Sequence, residues 1–178
     1  MSVRFVKQDL TTSDADYICH QVNCMGKMNS GVAKAIREKW PIVFESYIEK
    51  WQEVAQHNNE FLLGDIQIVP LYNNYYETEH RQYVVNMFAQ YNYGYDGKRY
   101  TSYDAFWSCL GHIREVVPKG SRVAFPYKIG CDRGGGCWSV ILTMICEVLE
   151  EDYNIEFYYL NEDTWLLRHI IDTEWEGK

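Results

Sequence analysis

The chain predicts an α/β protein, a three-layer α/β/α sandwich built on a mixed central sheet. Three observations lead there. Short apolar runs suited to strands alternate with longer stretches of helical periodicity. Two strand-like runs on either side of the polar segment NNYYETEH are placed to pair with each other, which makes the sheet mixed rather than purely parallel. Two glycine-rich loops each stand between the end of a strand and the start of a helix. In open sheets of this kind, that is where ligands bind.

The elements follow in order. Residues 3–7 alternate well enough for a first strand, and DLTTSDAD is a polar turn leading to YICHQV, a second strand over 17–22. NCMGKMNSG, residues 23–31, reads as a loop. In VAKAIREKW, Val32, Ala35, Ile36 and Trp40 fall near helical spacing, with Asn29 or Ser30 placed to cap the helix and Pro41 just beyond it. A second helix is expected over about 43–56. LLGDIQIVPL reads as a strand after a glycine turn, and RQYVVNMFAQ as its partner. YNYGYDGKRYTS is a polar, aromatic loop. SYDAFWSCLGHIREVV is an amphipathic helix, and SRVAFPY a buried strand entering the second glycine-rich loop, KIGCDRGGGCW. The helix SVILTMICEVLEE, the strand NIEFYYL and an acidic tail with a short closing helix or strand complete a single domain over residues 1–178.

Composition narrows the function. With 47% hydrophobic and 24% charged residues the chain can build a core. Its 15 tyrosines suit surfaces and clefts as well as a core, since the ring buries while the hydroxyl stays wet. A formal net charge of −8 argues against sequence-independent nucleic-acid binding, which needs a surplus of Lys and Arg. It leaves room for a local basic groove from Lys34, Arg37 and Lys39. It also leaves room for a small anion, because backbone amides hold anions without net positive charge. Six cysteines without a C-x-x-C pair, and first residues that read as a strand, point to reduced thiols in a cytoplasmic protein, and a monomer is expected separately. No apolar run approaches the length of a membrane span.

The two loops carry the chemistry. Glycine lets backbone amides approach a ligand closely, and a helix beginning just after the loop adds partial positive charge. Residues 23–31 hold Gly26 and Gly31, and residues 130–136 hold Gly130, Gly134, Gly135 and Gly136. Two such loops meeting in one cleft suit a diphosphate. Neither matches a Gly-Lys-Ser/Thr phosphate loop or a dinucleotide fingerprint after a first strand. As plain structural turns, each would mean nothing more.

VNCMGKMNSGVAKAIREKWP is similar to the first signature of macrodomains, in which an Asn ending a strand precedes a glycine-containing loop and a helix opening Gly-hydrophobic-Ala. AFPYKIGCDRGGGCW resembles the second, with its Pro, Ile-Gly-Cys run, glycine-rich loop and Trp. The order of elements resembles that fold over most of the chain. The nearest resemblance is to the branch holding DNA ADP-ribosyl glycohydrolase antitoxins, terminal ADP-ribose protein glycohydrolases, and yeast or phage ADP-ribose-1''-phosphate phosphatases. It implies ADP-ribose or a derivative as ligand, free or carried on protein or nucleic acid, with no cofactor and no metal.

The resemblance also implies roles. Asp9, with Leu10 beside it, falls where the family holds the adenine amino group. Asn23, after Val22, falls where an Asn meets the distal ribose. Gly26, Lys27, Met28 and Gly31, with Val32 behind them, would wrap that ribose and the proximal phosphate. Gly130, Cys131, Asp132, Gly134, Gly135 and Gly136 would cradle the diphosphate, entered through Tyr127 and Ile129. Tyr159 and Asn161 would flank adenine.

Departures from the pattern bear on catalysis. Where the glycohydrolases of this branch carry a catalytic Lys, this chain has Gln90. Where relatives carry an Asp in the second loop, it has Gly134 and Cys137. Glutamine forms no adduct with a sugar, and a neutral thiol is a poor base. Asp132 is the remaining local carboxylate for a base, or else a brace for its loop, and with Asn23 it makes the catalytic pair. His20, Lys98, Arg99, Asp96 and Tyr91 are weaker candidates. The readings are a hydrolase of an ADP-ribose derivative, a non-catalytic reader or sequestering protein for NAD-derived signals, and a binder of ADP-ribosylated nucleic acid.

Overall fold

The computed structural model describes residues 2–71 and 82–160. Among them, strands β1 (Val3–Val6), β2 (Tyr17–Asn23), β3 (Ile66–Leu71), β4 (Gln82–Gln90), β5 (Arg122–Pro126) and β6 (Asn154–Tyr158) alternate with helices α1 (Gly31–Lys39), α2 (Pro41–Ala55), α3 (Tyr103–Val116) and α4 (Trp138–Leu149). The strands form one sheet in the order β1-β6-β5-β2-β4-β3. Every pairing is parallel except β3 with β4, which is antiparallel. The mixed α/β/α sandwich expected from the sequence is what forms. Residues 73–80, read as the link between β3 and β4, and the tail over 161–178 lie outside the described residues.

The side-chain period of two sorts each strand between two cores. Tyr17 and Cys19 of β2 join Val85, Met87, Val123 and Phe125 beneath Phe106, Leu110 and Ile113 of α3 and Ile141 and Ile145 of α4. Ile18 and Val22 turn the other way and join Val84 and Phe88 beneath Ile36 of α1 and Val43 and Tyr47 of α2. Strands covered on both faces read as nearly continuous apolar runs, which is why YICHQV and VVNMFA were legible.

Three local features differ from the sequence reading. Pro41 does not merely follow α1 but occupies the first turn of α2, where its missing N–H costs nothing. Residues Leu10–Thr12 form a 3-10 turn within the expected polar turn, capped by Asp9, whose Oδ1 accepts from the Thr11 amide at 2.8 Å. A second 3-10 turn, Asn59–Leu62, is capped by Asn58. Both rest on short local caps rather than on periodicity. Among the described residues no helix is long and apolar enough to cross a membrane.

His20, weighed as reaching the cleft or as a packed, hydrogen-bonded residue, is the latter, fully buried beneath α2. It belongs to a polar rung across three strands. Its Nε2 donates to Asn86 Oδ1 at 2.5 Å, Asn86 Nδ2 to Gln67 Oε1 at 3.0 Å, and Gln67 Nε2 to the Ser46 carbonyl of α2 at 2.8 Å. Burial pushes the His20 pKa down from 6.5 to about 4, against the smaller upward pull of the Asn86 bond. The unfolded chain therefore takes a proton below pH 6.5 that the native state refuses, and stability falls as pH drops toward 4. Roughly 1.4 kcal/mol is lost for each pH unit of that window. Glu156 acts lower down. Burial raises its pKa, but Arg122, Arg4 and Tyr158 outweigh that and hold it below its ordinary 4.5, so its contribution is lost only as pH falls through that lowered value. Urea unfolding at pH 7, 6, 5 and 4 should show the first slope in the native protein, and His20→Gln should flatten it.

Candidate functional site

β2 and β5 are parallel neighbours, so the loops that leave their carboxyl ends open on the same edge of the sheet. Between them lies a cleft of about 400 Å³, within the range of about 300–1,000 Å³ common for small-molecule sites. Its walls come from the first loop and the first turn of α1, from the end of β4 with Tyr93, Gly94 and Tyr95, and from the stretch Pro126 to Gly134 of the second loop.

The first loop is organised by Asn23. Its Oδ1 accepts from the amides of Met25 at 2.9 Å and Lys27 at 3.3 Å and from Tyr47 Oη at 3.0 Å, while Nδ2 donates to the Lys27 carbonyl at 2.7 Å. An amide nitrogen carries two hydrogens, so one is left without an acceptor among the described residues. Tyr47, fully buried on α2, also accepts from the Lys27 amide at 3.0 Å. Gly26 sits at φ +70, where an added Cβ would press on the Trp51 indole at 3.0 Å. Ser30 stands at the start of α1 but makes no side-chain cap bond. The amides of Gly31, Val32 and Ala33 find no acceptor among the described residues. They point out of an uncapped helix N-terminus whose residues line the cleft.

The second loop begins with strain. Lys128 takes φ 57, in the left-handed region that non-glycine residues avoid, and Gly130 and Gly135 follow at φ 71 and φ 66. The amides of Cys131, Gly135 and Gly136 are spent inside the loop, on Lys128, Asp132 and Gly130 carbonyls. Those of Asp132, Arg133 and Gly134 have no acceptor among the described residues, which leaves three successive donors in the cleft wall. The lining side chains add three cations, Lys27, Lys128 and Arg133, against the single acid Asp132. A protein of net charge −8 thus presents a locally positive cleft. Arg133 is held 4.5 Å over the Tyr95 ring, and Lys128 5.3 Å over Tyr127.

Most of the residues named from the sequence meet here. Val22, Asn23, Lys27, Met28, Gly31, Val32, Tyr127, Ile129, Gly130, Asp132 and Gly134 line the cleft. Others stand behind it. Leu10 is buried in the core under α1 and α2, and Asp9 caps its own turn. Gly26 and Gly136 shape their loops. Gly135 packs on the backbone of Lys98 and Arg99. Cys131 packs against the core with Sγ toward the Ile129 carbonyl. Asn161 lies outside the described residues. Lys98 pairs with Asp96 at 3.0 Å, and Arg99 stacks on Tyr103, so neither lines the cleft. Lys34 pairs with Glu38, and Arg37 bonds Asn29 and covers Phe44, which ties up most of the basic groove on α1. Sequence reasoning passed over Gln21, Tyr93, Tyr95 and Arg133 as lining residues. Only the β2 alternation hinted at Gln21.

The residues relevant to catalysis are equally specific. The Asp132 carboxylate is exposed and makes no hydrogen bond or ion pair among the described residues, so it does not brace its loop. Gln90 is spent structurally: it accepts from Gln21 Nε2 at 2.6 Å and donates to the Asn92 carbonyl at 3.0 Å. Cys137 stands just before α4, with no side-chain cap bond and outside the cleft, its thiol pKa held below the ordinary value by the Ser139 hydroxyl and the Val140 amide.

Fold and site together define an α/β sandwich with a cleft, lined by unengaged amides and three cations, at the carboxyl ends of its parallel strands. No family model matches the sequence. An uncharacterised 17.5 kDa protein of Enterobacteria phage T4, from the tk-vs intergenic region, is 25% identical over 147 residues, covering 79% of this chain and 86% of that one. A protein of unknown function from Bacteroides thetaiotaomicron superposes with a TM-score of 0.71 at 26% identity, over 89% of this chain and 98% of its own. The macrodomain of Mycobacterium tuberculosis DarG gives 0.68 at 17% identity, over 89% and 98%. Thermosipho africanus DarTG, solved in complex with ADP-ribose, gives 0.71 at 18% identity, over 93% of this chain and 44% of that one. The chain has the macrodomain fold.

Tyr47 is the strut between α2 and the first loop. Tyr47→Phe should cost about 1–2 kcal/mol in urea unfolding, because it removes one hydroxyl serving several buried partners.

Proposed function

We propose that the chain binds ADP-ribose or a close derivative in this cleft and hydrolyses it. One observation carries the reading: two sets of unengaged backbone amides, at the start of α1 and over residues 132–134, line one locally positive cleft. A diphosphate brings two negative charges and many acceptor oxygens into little volume, and converging N–H donors satisfy them without bulk. The free hydrogen of Asn23 Nδ2 would meet a ribose hydroxyl. The neighbour solved with ADP-ribose supports the ligand's identity through shared fold.

The hydrolytic step would act on ADP-ribose-1''-phosphate or on an ADP-ribosyl adduct. The diphosphate is fixed by the amides, and Asp132 takes a proton from a water aimed at the phosphoryl or anomeric centre. A second reading, a non-catalytic reader or sequestering protein, draws support from Gln90. That residue stands where related glycohydrolases place a Lys, and both ends of its amide are already committed. Free ADP-ribose, or ADP-ribose carried on protein or nucleic acid, would be the partner under either reading. A cytoplasmic monomer covering residues 1–178 as one domain fits both.

Calorimetric titration with ADP-ribose, followed by an assay for phosphate release from ADP-ribose-1''-phosphate, separates these outcomes. If ligand reaches 100 times its Kd, the native state should gain about 2.7 kcal/mol and its thermal midpoint rise. Absence of any midpoint shift at millimolar ADP-ribose would refute the cleft reading. Binding without release of phosphate or of an adduct would favour the reader. Asp132→Asn should reduce turnover about 10²-fold or more while changing Kd by less than about threefold. Asn23→Ala should weaken binding about tenfold and also destabilise the unliganded protein by about 1–3 kcal/mol, since its carboxamide braces the first loop.

A further inference from the structure

The second loop is held in place by residues outside it. The Tyr100 and Thr101 amides both donate to the Gly134 carbonyl, at 2.8 and 2.9 Å. The Gly130 carbonyl accepts from the Gly136 amide at 2.9 Å and from Thr101 Oγ1 at 2.7 Å. An alanine Cβ at Gly134 would collide with Thr101 Oγ1 and the Gly130 carbonyl. Thr101 is 2% exposed and does not line the cleft. It is a pin behind the wall.

The direction of every bond in this pin is forced. Thr101 Oγ1 has one hydrogen, and it goes to the Gly130 carbonyl. Toward Gln21 Nε2, at 2.8 Å, the hydroxyl can only accept. Gln90 Nε2 is directed to the Asn92 carbonyl, so its Oε1 faces Gln21 and also accepts, at 2.6 Å. Both neighbours therefore demand the amino group of Gln21, which fixes its carboxamide from two sides. The result is a one-way chain of donors, Gln21 to Thr101 to the Gly130 carbonyl, running from strand β2 into the loop.

We infer that Thr101, oriented by Gln21, is the positioning residue that sets the anion-holding geometry of the second loop. The Gly130 and Gly134 carbonyls, both tied to residues 100–101, anchor the two ends of the stretch whose Asp132, Arg133 and Gly134 amides have no acceptor among the described residues. The inference rests on the proposed diphosphate reading, and Thr101 acts on the ligand only through the loop.

Thr101→Val removes the hydroxyl and keeps the shape. The unliganded fold keeps its other bonds, because Gly130 retains Gly136, Gln21 retains Gln90, and Gly134 retains both backbone donors. Calorimetric titration with ADP-ribose should show the Kd raised about tenfold by Thr101→Val, and about threefold in the same direction by Gln21→Leu. Thr101→Ser restores the hydroxyl and should bind within about twofold of the native protein, a rescue that a purely packing role of the threonine methyl would not give. The unliganded thermal midpoint is measured alongside. Should valine lower it substantially, the serine and leucine variants carry the test. A Kd within twofold of native for both Thr101→Val and Gln21→Leu overturns the inference, as does failure of Thr101→Ser to restore binding. If the native protein binds no ADP-ribose at all, the cleft reading itself fails and the inference with it. Native binding with indifferent variants removes only the inference.

Discussion

The parallel pairing of β2 with β5 at the centre of the sheet is the constraint on which the site depends. Two parallel neighbours covered by helices on both faces must release their connections at the same edge. The first loop and the second loop come from strands that touch, so the cleft between them follows from sheet order. A sheet order that put another strand between β2 and β5, with every loop sequence unchanged, would separate the two sets of amides and leave no site.

The sheet also resolves an apparent conflict between charge and ligand. An acidic chain is a poor host for an anion if attraction is carried by side chains summed over the surface. In the proposed reading it comes also from peptide dipoles, which carry no net charge and are fixed by the fold. An uncapped helix start and a run of amides in the second loop do what a cluster of lysines would otherwise do. Lys27, Lys128 and Arg133 add to this only locally, and two of these cations are steadied by tyrosine rings. The strained backbone at Lys128 fits the same logic, because the turn is needed to present the amides that follow it.

How much of this could be read from the sequence depended on the range of the signal. Strands such as YICHQV announce themselves because both faces are buried. Asn23 and the glycines of the two loops were legible because loop, helix start and spacing are local features. The 3-10 turns over Leu10–Thr12 and Asn59–Leu62 were not, since one capping side chain decides each of them. For His20 the packed, hydrogen-bonded reading outweighed the cleft, but a histidine near a strand end says nothing about which partner it takes. Its register against Asn86 is a property of the neighbouring strand. Gln21 was hinted at only by the β2 alternation, and the joint role of Gln21 and Thr101 was invisible for a stronger reason. Their meaning arises only where residues 100–101 meet residues 130–134, about thirty positions along the chain, and no local pattern encodes that encounter.

The corner at Trp40 and Pro41 has a mechanical consequence. The Trp40 amide closes the last turn of α1 on Ile36, and its carbonyl accepts from Val43 in the first turn of α2. The two helices therefore share one residue as stop and start, without slack between them. α2 is in turn bolted to the first loop through Tyr47 and Trp51. One bank of the cleft is thus a closed truss of helix, corner, helix and loop that moves as a block or not at all. The opposite bank is built differently, pinned from behind by residues 100–101 and carrying on its rim the Arg133 guanidinium over the Tyr95 ring.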